Sequence, residues 1–98
     1  MIEIGQTDEF KSWLKNLRDS RAKAKIASRI RRLEDGNPGD VRPAGEGISE
    51  LRIHHGPGYR VYFVQRGAVL IVLLCGGEKS SQVADIKAAK ALASQETE

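Results

Sequence analysis

Hydrophobic positions along the chain change period near Gly39, and the change divides the sequence into a helical first part and a strand-rich second part. Ile2 and Ile4 alternate within Met1–Gly5, the pattern of a first or edge strand. Phe10, Trp13, Leu14 and Leu17 recur at i, i+3, i+4 and i+7, and Thr7 precedes them with Asp8 and Glu9 in the first turn. This predicts a helix over Asp8–Leu17 capped by Thr7. Asp19-Ser20 supplies a break and a new cap, after which Ala22, Ile26, Ile30 and Leu33 repeat at helical spacing up to Asp35-Gly36-Asn37-Pro38-Gly39. The two helices are joined by a short turn and form an antiparallel hairpin.

Beyond Gly39 the pattern is extended. Asp40–Gly47 reads as a connection with a short extended piece at Val41-Arg42, followed by strands over Ile48–His54, Tyr59–Arg66 and Ala68–Cys75. Gly56-Pro57-Gly58 joins the first two strands and Arg66-Gly67 the second two. An odd loop length sets Leu51 and Ile53 against Phe63 and Val61. The same register collects Arg52, His54, Arg60 and Tyr62 on the opposite face. Ala68–Cys75, apolar throughout, suits an inner strand covered on both sides. Ser80 or Ser81 then caps a third helix reaching Ser94, with Val83 and Ile86 turned inward and Gln95–Glu98 frayed. The expected architecture is an α+β domain spanning residues 1–98 in the order β-α-α-β-β-β-α. Its mainly antiparallel sheet carries the helical hairpin on one face and cations on the other.

Composition narrows the function classes. Ninety-eight residues, 40% hydrophobic and 30% charged, suffice for one core. The longest apolar run, Ala68–Cys75, is far short of the roughly 20 residues of a spanning helix, and the N-terminal residues lack a signal-peptide layout. A cytoplasmic protein without membrane association is expected. Cys75 stands alone within that run and reads as a small buried hydrophobe. His54 and His55 are neighbours on a strand and point to opposite faces, so they do not chelate one ion together. No metal or cofactor set is legible. Gly56-Pro57-Gly58 lacks the strand-to-helix context of a phosphate loop.

The net charge is +3, but seven basic residues against one acid lie between Arg18 and Arg32. Arg21, Lys25, Arg29 and Arg32 form a stripe on the second helix, either a solvated face or a docking surface for a polyanion. On the sheet, Arg52, His54, Arg60 and Tyr62, with Lys79 approaching from beyond the last strand, offer cations and proton carriers. RNA cleavage by the substrate's own 2′-OH requires those groups. The alternative is a solvated face whose arginines pair with Glu50 and Glu46.

The blocks Ser49-Glu50-Leu51-Arg52-Ile53, Gly56-Pro57-Gly58-Tyr59-Arg60-Val61-Tyr62-Phe63, Leu73 through Gln82, and Asp85-Ile86 resemble toxins of bacterial type II toxin–antitoxin modules. More narrowly, they are similar to the RelE/ParE superfamily and its phage-derived, HigB-like branch of addiction module killer proteins. Phe10 to Leu14, the basic second helix and Gly36-Asn37-Pro38-Gly39-Asp40 fit the same branch. The resemblance implies a RelE-like fold and a cytoplasmic toxin neutralised by a helix-turn-helix antitoxin, with operator DNA bound only through that antitoxin. It also implies a ribosome-dependent, metal-independent mRNA endonuclease (an mRNA interferase) that inhibits translation. Arg60 matches the arginine such enzymes place on the scissile phosphate, Arg52 a basic position on the preceding strand, and Lys79 the start of a Lys-rich terminal segment. The Tyr or His that often ends that segment is missing after Lys79-Ser80-Ser81-Gln82, so either His54 or Tyr62 takes over proton transfer, or cleavage is weak, or the target differs. Arg21, Lys25, Arg29 and Arg32 would dock on ribosomal RNA. Two alternatives stay open, a non-catalytic ParE-like inhibitor of DNA gyrase and a decayed toxin serving only as antitoxin partner. Assembly as a homodimer is also left open.

Overall fold

The computed structural model describes residues 2–95. The elements are β1 (Glu3–Gln6), α1 (Asp8–Asn16), α2 (Ser20–Glu34), β2 (Val41–Gly45), β3 (Ile48–Ile53), β4 (Tyr59–Arg66), β5 (Leu70–Glu78), a 3₁₀ turn (Lys79–Ser81) and α3 (Gln82–Gln95). They form an α+β structure around one five-stranded sheet of order β1-β5-β4-β3-β2, antiparallel except where β1 runs parallel to β5.

The caps explain where the first two helices start. The Thr7 hydroxyl accepts the Phe10 N–H and donates to the Leu74 carbonyl, fixing α1 to β5 as well as starting it. Asp19 accepts the N–H groups of Arg21 and Ala22 at the head of α2. The α1–α2 hairpin covers one sheet face, where Phe10, Ala22, Ile26 and Leu33 pack on Leu51, Ile53, Val61, Phe63, Ile71 and Leu73.

Four expectations are corrected. The extended piece at Val41-Arg42 is a full edge strand, β2, which adds a fourth strand after the hairpin. The β3–β4 loop is odd, as expected, but Leu51 faces Val61 and Ile53 faces Tyr59. The offset from the expected pairs is two residues, so every side chain keeps its face. In addition, α3 lies across the face expected to carry the cations. Its Ala89 and Ala93 pack against Ile48, Tyr62, Val64, Val72 and Leu74, while Val83 points outward and is 86% exposed. Alanines supply little area, but they let the helix sit close to the sheet. The last strand also begins later than expected, leaving Ala68 and Val69 exposed before Leu70. The fraying expected for Gln95–Glu98 falls, past Gln95, outside the described residues.

A bulge in β5 serves both layers. Tyr62 pairs with Cys75 while Phe63 pairs with Leu73, so Leu74 is the extra residue. Leu74 and Cys75 therefore both turn toward α3. Beyond the bulge, Gly76 lies beneath Trp13 and Gly77 beneath Asp85. A Cβ at either glycine would overlap that side chain. The Gly-Gly pair thus lets one helix from each layer approach the strand. Among the described residues, no helix is long and apolar enough to cross a membrane.

Candidate functional site

The polar groups gather where α3 stops covering the sheet. Arg52 and Arg60 are direct partners across the β3–β4 ladder, an unfavourable juxtaposition of like charges unless an anion lies between them. Glu50 supplies it. Its carboxylate accepts from Arg60 Nη1, lies 3.8 Å from Arg52 Nε, and accepts Gln82 Nε2 at 3.1 Å on both oxygens. The side chains of Arg60 and Glu50 are only 7% and 4% exposed. The Nε atoms of Arg52 and Arg60 are also buried, with no hydrogen-bond partner among the described residues. The pairing with Glu50 weighed in the sequence therefore occurs, whereas Glu46 pairs instead with Lys90 at 3.2 Å.

These two arginines line a cleft of about 430 Å³ whose other walls are His54, His55, Lys79 and the loop Gly56–Gly58. Gly56 and Gly58 have φ of +57° and +83°, which turns the loop sharply. The Lys79 N–H donates to the Gly58 carbonyl at 2.8 Å, so the segment after β5 closes against the β3–β4 loop and brings Lys79 to the cleft. His54 extends past the end of β3, largely exposed, with Nε2 2.6 Å from Asp40 Oδ2. That hydrogen bond, more than the neighbouring Arg42 and Arg52, holds the Asp40 carboxyl below the usual range. His55 turns the other way and meets Asp19 Oδ2 at 3.1 Å. The two adjacent imidazoles diverge, and among the described residues no three His, Cys, Asp or Glu side chains converge on a metal position.

Of the five residues singled out for chemistry, the cleft unites Arg52, His54, Arg60 and Lys79. Tyr62 is excluded. It is fully buried beneath α3 with an unpartnered hydroxyl, and burial together with the charges of Glu50 and Asp85 raises its pKa. It stays a neutral phenol out of reach of any substrate. The period-two pattern placed Tyr62 on the correct face but could not show that a helix covers it. Burial likewise pushes the Cys75 thiol up to about 12, leaving it inert.

The α2 stripe also divides. Arg21, Lys25 and Arg32 are exposed, but Arg29 is partly buried and committed to backbone carbonyls. Its Nη1 donates to Arg52 O at 2.5 Å, and its Nη2 donates to Pro38 O at 2.9 Å and Asp40 O at 3.3 Å. A docking role for Arg29 is thereby corrected to a structural one. Lys25, Ser28 and Arg29 line a second hollow of about 290 Å³ that shares His54 with the cleft, so Lys25 continues the charged surface. Asp40 and Gln82 were missed as site residues. Asp40 follows Gly36-Asn37-Pro38-Gly39, which reads as a connection, and its meeting with His54 is a long-range contact.

Over 94 residues, 96% of this chain and 95% of the relative, the sequence is 54% identical to an uncharacterized protein of Haemophilus influenzae Rd. Residues 12–98 match the family described as phage derived protein Gp49-like (DUF891). The chain accordingly belongs to the Gp49-like family, a toxin–antitoxin family of addiction module killers in which the toxin has an antitoxin partner.

Proposed function

We propose that the protein is a ribosome-dependent mRNA endonuclease of the RelE/HigB type, held in check in the cytoplasm by a helix-turn-helix antitoxin. One observation carries this reading. Three cations, Arg52, Arg60 and Lys79, and one imidazole, His54, line a single open cleft. In RNA the 2′-OH attacks the adjacent phosphorus. The 2′-O–P bond forms, the P–O5′ bond breaks, and the products are a 2′,3′-cyclic phosphate and a 5′-hydroxyl. The enzyme has only to accept the 2′ proton, stabilise the extra negative charge and protonate the leaving oxygen.

His54 accepts the proton in this scheme. Arg52 and Arg60 stabilise the phosphorane, and Lys79 donates a proton to the departing 5′-oxygen. Glu50 keeps the two guanidinium groups from repelling each other while leaving a net positive charge between them. Arg21, Lys25 and Arg32 then meet the ribosomal RNA backbone, an affinity that falls as salt rises.

The test uses ribosomes translating a defined mRNA, with cuts mapped by primer extension. The wild-type protein is expected to give codon-dependent cuts. His54→Ala and Lys79→Ala, both at exposed positions, are expected to lower the cleavage rate on the order of 100-fold while remaining folded. Intact transcripts together with growth arrest and inhibited DNA supercoiling would overturn the reading in favour of a gyrase inhibitor.

A further inference from the structure

We infer that Asp40 is a positioning residue for His54, orienting the imidazole for proton transfer, and that Arg29 in turn fixes Asp40; this role rests on the nuclease reading above. An ionised carboxylate only accepts hydrogen bonds. At 2.6 Å the Asp40 Oδ2 therefore assigns the proton of a neutral His54 to Nε2 and leaves Nδ1 as the free acceptor. An imidazole without this partner would divide between tautomers and rotate, because His54 is 74% exposed and little else confines it.

The Asp40 backbone is itself fixed by two donors, and a third cation stands beside its carboxylate. The Asp40 carbonyl accepts the Arg52 N–H at 3.0 Å and Arg29 Nη2 at 3.3 Å, while Arg42 Nε lies 3.6 Å from Oδ1. Arg29 also grips the carbonyls of Pro38 and Arg52, so one guanidinium ties the chain before Asp40 to the end of the strand that carries Arg52 and leads to His54. Gly39, at φ +77°, permits that approach: a Cβ there would stand 3.0 Å from Arg29 Nη2.

The second His–Asp pair shows that this arrangement is not a by-product of helix capping. Asp19 spends Oδ1 on the N–H groups of Arg21 and Ala22, and His55, 21% exposed, takes its other oxygen. Asp19 would be required at the head of α2 whether or not His55 were present. Among the described residues, no backbone N–H donates to the Asp40 carboxylate. Its partners are the His54 ring and an exposed arginine, and the ring it holds stands in the cleft wall.

The experiment combines nitrogen NMR of the two imidazoles with the ribosome cleavage assay, on the wild type and on Asp40→Asn. With both rings neutral, wild-type His54 is expected to be the Nε2–H tautomer. Asparagine at 40, its Oδ1 kept toward Arg42 Nε, presents its amide N–H to the ring and should reverse His54 to Nδ1–H while His55 remains unchanged as the internal reference. The cleavage rate is expected to fall about 10- to 100-fold, within what a correctly oriented general base supplies. A His54 tautomer that does not respond to Asp40→Asn, in a wild type that cleaves, would overturn the positioning role and leave the nuclease reading standing. Reversal of the tautomer in a protein whose wild type cuts no RNA would uphold the orientation and overturn the nuclease reading. Arg29→Gln distinguishes the second link. It should lower the Nε2–H fraction of His54 with the sheet intact, and an unchanged fraction would remove Arg29 from the chain of support.

Discussion

Glu50 and Leu51 are neighbours on β3, yet they belong to two different kinds of interior. Leu51 faces the helical hairpin in a layer made of aliphatic and aromatic side chains. Glu50 faces α3 and is as deeply buried, but its surroundings are two arginines and a glutamine. The hairpin side is apolar from Ile53 and Tyr59 through Phe63 and Ile71. The α3 side is apolar only as far as Tyr62 and Ile48 and becomes ionic toward the loop end. The difference shows where this fold can hold a reactive surface, which is where the short side chains of α3 cease to cover the sheet and charges must be satisfied by one another.

This contrast can be tested by substitution. Removing Glu50 leaves the Arg60 guanidinium buried without its counter-ion, so Glu50→Ala should cost about 3–5 kcal/mol by urea denaturation. The Glu50→Leu, Arg60→Met double variant should recover much of that loss, because the pair is then replaced as a unit. No recovery would mean that the two ends of the α3 face are held by something other than this ion pair. On the other side, Leu51→Ala should cost about 2–5 kcal/mol through the cavity it creates. It should leave cleavage per folded molecule unchanged, and a specific loss of cleavage would show that the two faces are not independent.

The smallest effect concerns acid. The Asp19 carboxyl lies below its ordinary value of 3.8, chiefly through the Ala22 N–H and then through His55. A depressed carboxyl contributes stability that is fully present above the unfolded value and is lost as pH falls through the folded one. Asp19→Asn, which keeps a good cap, should therefore be less stable than the wild type at neutral pH, with the gap closing below about pH 4. Stability curves that remain parallel into acid would remove the charge from that account.

Local features of the sequence carried a good deal of this architecture. Thr7 and Asp19 are caps because their oxygens face N–H groups two or three residues ahead, and that geometry needs no distant partner. The faces of β3 and β4 follow from strict alternation, so even a two-residue error in register left Arg52 and Arg60 on one face. What lies over a face is different in kind. The α3 sequence is rich in alanine and has no marked apolar stripe, so it did not show which surface it would cover or that Val83 would point outward.

The composition of the cleft divides the same way. Arg52, His54, Arg60 and Lys79 were legible as residue types on neighbouring segments, because charge and alternation are local properties. Tertiary packing alone decided that Tyr62 is sealed off, that Arg29 is spent on carbonyls, and that Asp40 reaches His54. Those outcomes depend on which segments come within a few ångströms of each other. Short-range propensity sets the shape and facing of each segment, but only the competition among all buried surfaces and unsatisfied polar groups sets their meeting places.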